Sequence, residues 1–219
     1  LAALANTEAS DWSWGALIFD MDNDGWKDIF VSNGILRDIT SMDFASFASD
    51  RENIKKIVQK EGKLDVNDLL AYLPSTKISN YAYINQRNRT FINQADSLGL
   101  GIPSFSNGSA YADLDNDGDL DLIVNNINAP ASIYQNQKDT LFGHAYLKVK
   151  FQGPEKNPFG IGARVTVYSG DKRQRLENFT SRGFQSSVEP VVNFGLGSLQ
   201  RLDSLEVVWP DLKRQTLRD

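Results

Sequence analysis

Asp20-Met21-Asp22-Asn23-Asp24-Gly25-Trp26-Lys27-Asp28 and Asp113-Leu114-Asp115-Asn116-Asp117-Gly118-Asp119-Leu120-Asp121 are two copies of one nine-residue pattern. Both carry Asp at positions 1, 3, 5 and 9, Asn at 4 and Gly at 6. Carboxylates packed this densely repel one another unless a cation lies among them. Hard oxygen donors at alternating positions, with a glycine that permits a sharp turn, suit Ca2+. Mg2+ takes fewer protein ligands in a stricter octahedron and suits the pattern less well. The spacing predicts one ligand set from the carboxylates of Asp20, Asp22, Asp24 and Asp28 and the carbonyl of Trp26. A second set comes from Asp113, Asp115, Asp117 and Asp121 with the carbonyl of Asp119. Waters would complete each shell to about six to eight oxygens. On this reading the Asp119 side chain is free to point to solvent. A solvated acidic turn without metal is the plainer alternative, and the matching second copy weighs against it.

The flanks separate these loops from an EF-hand, which needs a bidentate Glu at position 12 and a helix on each side. Position 12 is Val31 in one loop and Val124 in the other. Ala16-Leu17-Ile18-Phe19 and Ile29-Phe30-Val31 flank the first loop; Ala110-Tyr111-Ala112 and Leu122-Ile123-Val124 flank the second. These runs read as strands. Each acidic loop is therefore expected to join the two strands of a hairpin, with position 9 closing the cage.

The repeat extends further. Gly15 aligns with Gly108, and Val31-Ser32-Asn33 with Val124-Asn125-Asn126. Tyr81 to Gln86 and Thr90 to Gln94 read as strands after the first loop. Ser132 to Gln137 echoes their Tyr/Ile-x-Asn pattern after the second. Units of short antiparallel strands repeated around an axis make a propeller, which needs at least about four blades. Only two loops are present, so the remaining blades are expected upstream, in a longer parent chain.

Trp14-Gly15 through Asn33-Gly34, and Gly108 through Asn126, resemble FG-GAP or VCBS repeats, the calcium-loop blades of integrin-type β-propellers. The tail resembles the ASPIC/UnbV domain of cartilage acidic protein-like proteins. That second resemblance rests on Phe159-Gly160-Ile161-Gly162-Ala163-Arg164-Val165, Ser181-Arg182-Gly183-Phe184-Gln185-Ser186, Phe194-Gly195-Leu196-Gly197 and Val207-Val208-Trp209-Pro210-Asp211. The fold expected is mainly β: a partial β-propeller over residues 1–140, then a small all-β, sandwich-like domain over 141–219. The departure from plain repeats is a helical insertion at about 38–76. There Asp43 to Ala48 and Arg51 to Glu61 show helical spacing, and Leu69 to Leu73, capped by Asp65 or Asn67, suggests a third helix before Pro74. The insertion reads equally as a lid or partner-binding element and as packed decoration.

In the tail, Tyr146 to Phe151 and Ala163 to Tyr168 alternate apolar and polar residues, and a Gly170-Asp171 turn leads into Arg173 to Phe179. Val188 to Phe194 and Ser204 to Trp209 supply further strands. The chain has 219 residues, 41% of them hydrophobic, and no cysteine, which excludes disulfides and Cys-based chemistry. No apolar run approaches the ~20 residues of a membrane-spanning helix. Net charge is −5, from 23 basic and 28 acidic residues. Two divalent cations would nearly cancel it. The basic clusters, Lys172-Arg173-Gln174-Arg175 and Lys213-Arg214, read as strand edges or turns, so nucleic acid is not an expected partner.

The single histidine, His144, has no Ser or Cys nucleophile pattern beside it. A bound Ca2+ would lower the pKa of the loop aspartates, the wrong direction for a general acid. Trp12, Trp14 and Trp26 cluster around the first loop. Trp14 and Trp26 read as packing between blades, or alternatively as an aromatic platform. Trp12, Trp14, Asn33 and Arg37 are the candidate ligand rim. Asn88-Arg89-Thr90, Asn107-Gly108-Ser109 and Asn178-Phe179-Thr180 match glycosylation acceptors, a pattern common by chance. The resulting expectation is a module with two Ca2+ sites at the cell surface or outside the cell (periplasmic or outer-membrane associated in a bacterium). It would bind a glycan or protein and serve in adhesion. The alternatives are a carbohydrate-active enzyme and a scaffold that uses the helical insertion.

Overall fold

The computed structural model describes residues 1–61, 70–137 and 143–218. After a four-residue helix α1 (Ala2–Ala5) come β1 (Ser13–Phe19) and β2 (Asp28–Asn33), paired antiparallel with Phe19 opposite Asp28. The first acidic loop is thus the connection of a hairpin. β1 alternates as its sequence demands: Gly15, Leu17 and Phe19 are buried, while Ala16 and Ile18 face out. The insertion follows, with α2 (Met42–Ser49) and α3 (Arg51–Glu61). Ser41 Oγ caps α2 by accepting from the Phe44 amide at 3.3 Å. Ile57 and Leu73 are buried, and Phe47 stacks on Tyr72 at 4.6 Å. Of the third expected helix, Leu69 and the cap candidates Asp65 and Asn67 lie outside the described residues, while 71–73 form a turn in which the Leu73 amide donates to the Leu70 carbonyl at 3.3 Å.

β3 (Tyr81–Asn85) and β4 (Phe91–Asn93) complete a sheet of order β1-β2-β3-β4. The second unit repeats the plan with β5 (Ser106–Ala112), β6 (Asp121–Asn126) and β7 (Ser132–Tyr134), in order β5-β6-β7. Ala112 stands opposite Asp121, the counterpart of the Phe19–Asp28 pair. One apolar core serves both sheets. Leu17, Phe19 and Phe30 come from the first unit and Leu120, Leu122 and Val124 from the second, and Phe19 stacks on Tyr111 at 4.7 Å. Among the described residues no sheet closes on itself. The architecture is mainly β, built of open antiparallel sheets, and does not by itself show the partial propeller expected from the repeats.

The tail supplies β8 (Ala145–Lys150), β9 (Arg164–Ser169), β10 (Lys172–Glu177), β11 (Val191–Gly197), β12 (Ser204–Val208) and β13 (Arg214–Arg218). These form a four-stranded sheet, β10-β9-β12-β13, and a β11-β8 pair. Val165, Val167 and Val207 of the one meet Val192 and Phe194 of the other in a second core. β13 was not foreseen. Every residue of it is exposed, so it carries no inside-outside alternation for a sequence reading to detect.

Two glycines explain how the tail seats. A Cβ on Gly15 would lie 2.9 Å from the Phe184 amide nitrogen, and one on Gly108 would lie 2.9 Å from Ser186 Oγ. The 181–186 loop therefore wedges against the first strand of both units at the same repeat position. Its Phe184 ring sits 4.7 Å from Trp14.

Candidate metal centre

The two acidic loops have the same backbone conformation. Position 4 is left-handed in both (φ 54° at Asn23, 64° at Asn116), as is position 6 (φ 91° at Gly25, 99° at Gly118). Asn tolerates that region and Gly enters it without strain, which is why these types occupy positions 4 and 6. The internal hydrogen bonds also match. Asp20 Oδ2 accepts from the Gly25 amide at 3.0 Å, and Asp113 Oδ2 from Gly118 at 3.0 Å. Asp24 Oδ1 accepts from Trp26 at 2.7 Å, and Asp117 Oδ1 from Asp119 at 2.9 Å.

This wrapping points three carboxylates at one another. Ligand oxygens of Asp20, Asp22 and Asp24 lie within 4.8 Å of each other, as do those of Asp113, Asp115 and Asp117. Asp20 and Asp113 are buried. Burial, opposed by Lys27 and reinforced by Asp24 and Asp22, raises the Asp20 carboxyl to about 6. Burial raises Asp28 to about 7, against the stabilising amides of Asn85 and Met21. Among the described residues, fewer cations than carboxylates are paired at each loop. Lys27 approaches Asp20 at 3.7 Å and Arg87 holds Asp24 Oδ2 at 2.6 Å, two cations for the four carboxylates of the first loop. Among the described residues, Lys148 on Asp113 is the only cation paired with the five carboxylates of the second. Asp113 Oδ1 is buried without a hydrogen-bond partner. A divalent cation fits both donor sets.

Position 9 lies outside both of these carboxylate groups and has a structural task. Asp28 accepts the Met21 amide on one oxygen and the Asn85 amide on the other, both at 2.9 Å. Asp121 accepts the Leu114 amide at 2.9 Å and the Asn136 amide at 2.8 Å. It staples its own loop and ties it to the next strand. Asn85 and Asn136, the repeated Asn of the Tyr/Ile-x-Asn pattern, answer with equivalent bonds to position 8, at 2.9 Å to the Lys27 carbonyl and 3.3 Å to the Leu120 carbonyl. The repetition of that Asn was the available signal for its role.

Asp119 departs from expectation. Its carboxylate does not point to solvent: it is 1% exposed and accepts from Asn23 Nδ2 of the other loop at 2.7 Å. The loops also meet the tail. The Gly197 amide donates to the Asn23 carbonyl at 2.7 Å, the His144 Nδ1 lies 2.7 Å from the Asp22 carbonyl, and any Cβ on Gly195 would overlap Asp20. His144, Lys148 and Arg87 carried no sequence signal, because each reaches its loop only through tertiary packing.

Of the candidate rim, Trp12, Trp14 and Asn33 lie side by side at the β1–β2 pair, with differing exposure. Asn33 is fully buried, its backbone amide donating to Asn80 Oδ1 at 2.9 Å and its side-chain Nδ2 to the Ser79 carbonyl at 3.2 Å. Trp14 packs on Phe184 and donates to the Gly34 carbonyl. Trp12 meets Trp14 edge-on at 6.4 Å, and Arg37 is exposed. Trp26, by contrast, is 48% exposed. Of the three glycosylation triplets, Asn178 is buried and donates to two carbonyls, Asn107 binds Asn125 and Gly108, and Asn88 is exposed at a turn.

Residues 153–219 match the ASPIC and UnbV family, so the C-terminal third carries that domain, as its glycine and aromatic motifs implied. The chain is also 33% identical over 110 residues to cartilage acidic protein 1 of Xenopus tropicalis, covering 48% of this chain and 16% of that protein. It is 33% identical over 104 residues to the Mus musculus protein of the same name, covering 46% and 15%. The matched stretch thus spans less than a fifth of these relatives. Among the described residues, no helix is long and apolar enough to cross a membrane.

Proposed function

We propose that this chain, with its ASPIC and UnbV-type tail, is part of a calcium-stabilised binding module that works outside the cell or at its surface. One Ca2+ would sit in each acidic loop, held by Asp20, Asp22 and Asp24 in the first and Asp113, Asp115 and Asp117 in the second. Asp28 and Asp121, with the carbonyls of Trp26 and Asp119, would complete the shells. The observation that carries this reading is the buried, unpartnered Asp113 Oδ1 inside a converging carboxylate group. A buried acceptor left unpaired is costly, and a cation among the three carboxylates would satisfy it.

The metal's work here is mechanical. Each loop links a hairpin to the next strand and to the tail, so filling it would hold blades and tail in one geometry and present the surface between them. The repeated loops support FG-GAP or VCBS-type blades, and the partner of such a surface would be a glycan or a protein, in an adhesive role. Similarity to cartilage acidic proteins and the fit to Ca2+, which is plentiful outside cells, support an extracellular setting. Calorimetric titration of chelator-stripped protein with CaCl2 tests the reading. Two equivalents of binding are expected, and no heat above dilution would refute it.

A further inference from the structure

We infer that the cleft between the first acidic loop and β10 binds an anionic polysaccharide, sulfated or carboxylated. This rests on the binding-module reading and names the ligand class of that module. The cleft has a volume of about 750 Å³, inside the ~300–1,000 Å³ range of ligand sites. Trp26, Lys27 and Arg87 line one wall and Lys172, Arg173 and Arg175 the other.

Charge sets its chemistry. The chain as a whole is acidic, yet this wall gathers cations. Lys172, Arg173 and Arg175 are exposed, and none is in an ion pair among the described residues. They sit on an edge strand, whose outer side no other strand covers. Gln174, between them, is turned inward and bonds the Gly195 carbonyl of β11 at 2.7 Å, which holds β10 against the tail's other pair of strands and leaves Arg173 and Arg175 on the exposed side of the edge strand. A guanidinium is planar and weakly hydrated and meets a sulfate or carboxylate through two parallel hydrogen bonds. On the opposite wall Arg87 is held by Asp24. A cation in the first loop would draw on the same carboxylate and release that guanidinium toward a ligand.

Trp26 decides between anion classes. It is a large aromatic surface left half-exposed at the mouth of a charged cleft, the arrangement that stacks on a sugar ring while cations hold its acidic substituents. A single-stranded nucleic acid would call for a series of such platforms along the groove, and among the described residues Trp26 is the one large aromatic side chain that lines this cleft.

Fluorescence anisotropy with labelled dextran sulfate, in CaCl2 at about 0.15 M ionic strength where long-range attraction is screened, tests the inference. Dextran sulfate is expected to bind and unsulfated dextran of equal length is not. R173E/R175E should weaken binding about tenfold or more, and R173Q/R175Q should weaken it in the same direction without adding repulsion. W26A should also weaken it. K213E/R214E, the same charge change at the far edge of the sheet, should leave it unaltered. Failure of dextran sulfate to bind, or an equal loss in K213E/R214E, would overturn the inference. Equal affinity for poly-glutamate or a single-stranded oligonucleotide would overturn the sugar class. The calcium-dependent melting shift of the same samples separates the two readings. A shift without dextran sulfate binding removes this inference alone, and no shift removes the metal reading whatever the polymer does.

Discussion

Asn23 and Asp119 join the two acidic loops directly: the Asn23 amide donates to Asp119 Oδ1 at 2.7 Å and to the Gly118 carbonyl at 3.2 Å. Both residues are almost fully buried, at 4% and 1% exposure. Asn136 adds a bridge of its own, reaching the Met21 carbonyl of the first loop and the Leu120 carbonyl of the second. What the repeat presents as two independent sites is a single linked structure.

That link predicts a double-mutant result. Asn23→Gly keeps the left-handed backbone and removes the Asn23 side-chain bond to buried Asp119, at a cost of about 1–3 kcal/mol. Asn23→Asp should cost more, since it sets a second carboxylate against the first. Pairing it with Asp119→Asn restores one donor and one acceptor and should recover part of the loss. Urea melts of the wild type, Asn23→Asp, Asp119→Asn and the double mutant measure the coupling, and simple additivity would contradict the bridge.

Metal removal should lower stability by the binding free energy of each site, about 2.7 kcal/mol at Ca2+ a hundredfold above Kd. Differential scanning calorimetry with and without chelator reads this. Asp24→Ala combined with Asp117→Ala should melt in calcium as the wild type does in chelator. A double mutant that keeps the calcium shift would exclude these two residues as ligands.

The pH response of the metal-free protein should have an unusual sign. Asp20, raised to about 6, and Asp28, raised to about 7, bind protons in the folded state that their unfolded counterparts, near 3.8, do not. Their charged forms therefore oppose folding above about pH 7, and that opposition fades as pH falls toward 4. In chelator the melting temperature should rise between pH 8 and pH 5. In calcium, protons compete with the metal and the same change should lower it. Two parallel profiles would argue that no cation engages these carboxylates.

Phe184 is the wedge between tail and blades, stacked on Trp14 beside Gly15. Phe184→Ala removes a half-buried ring and should cost about 1–3 kcal/mol, at the lower end of aromatic truncations because the site is partly open. It should also split one melting transition into two, as tail and blades lose their joint. Limited proteolysis would report the same loosening, and an unchanged single transition would assign Phe184 a purely local role.

The acidic loops, the hairpins around them, α2, α3 and most tail strands were legible in the sequence, because each follows from local spacing. Alternation set the faces of β9, and the left-handed backbone at positions 4 and 6 selected Asn and Gly. The glycine at repeat position 15 and 108 could be aligned but not explained. Its cause is the 181–186 loop, some 75 residues and more downstream, which needs bare backbone on both strands. Asp119 reads from spacing as a solvated side chain and is instead the buried acceptor of a residue 96 positions away. Asn33 and Trp14, placed by spacing on a rim, are taken inward by Asn80, Ser79 and Phe184. Local sequence determines which atoms could gather around a cation, since those atoms lie within nine residues of one another. Which carboxylates are buried, which cations answer them and which basic strand faces the cleft depend on chain segments brought together only by the packing of the two apolar cores, and only the tertiary structure decided them.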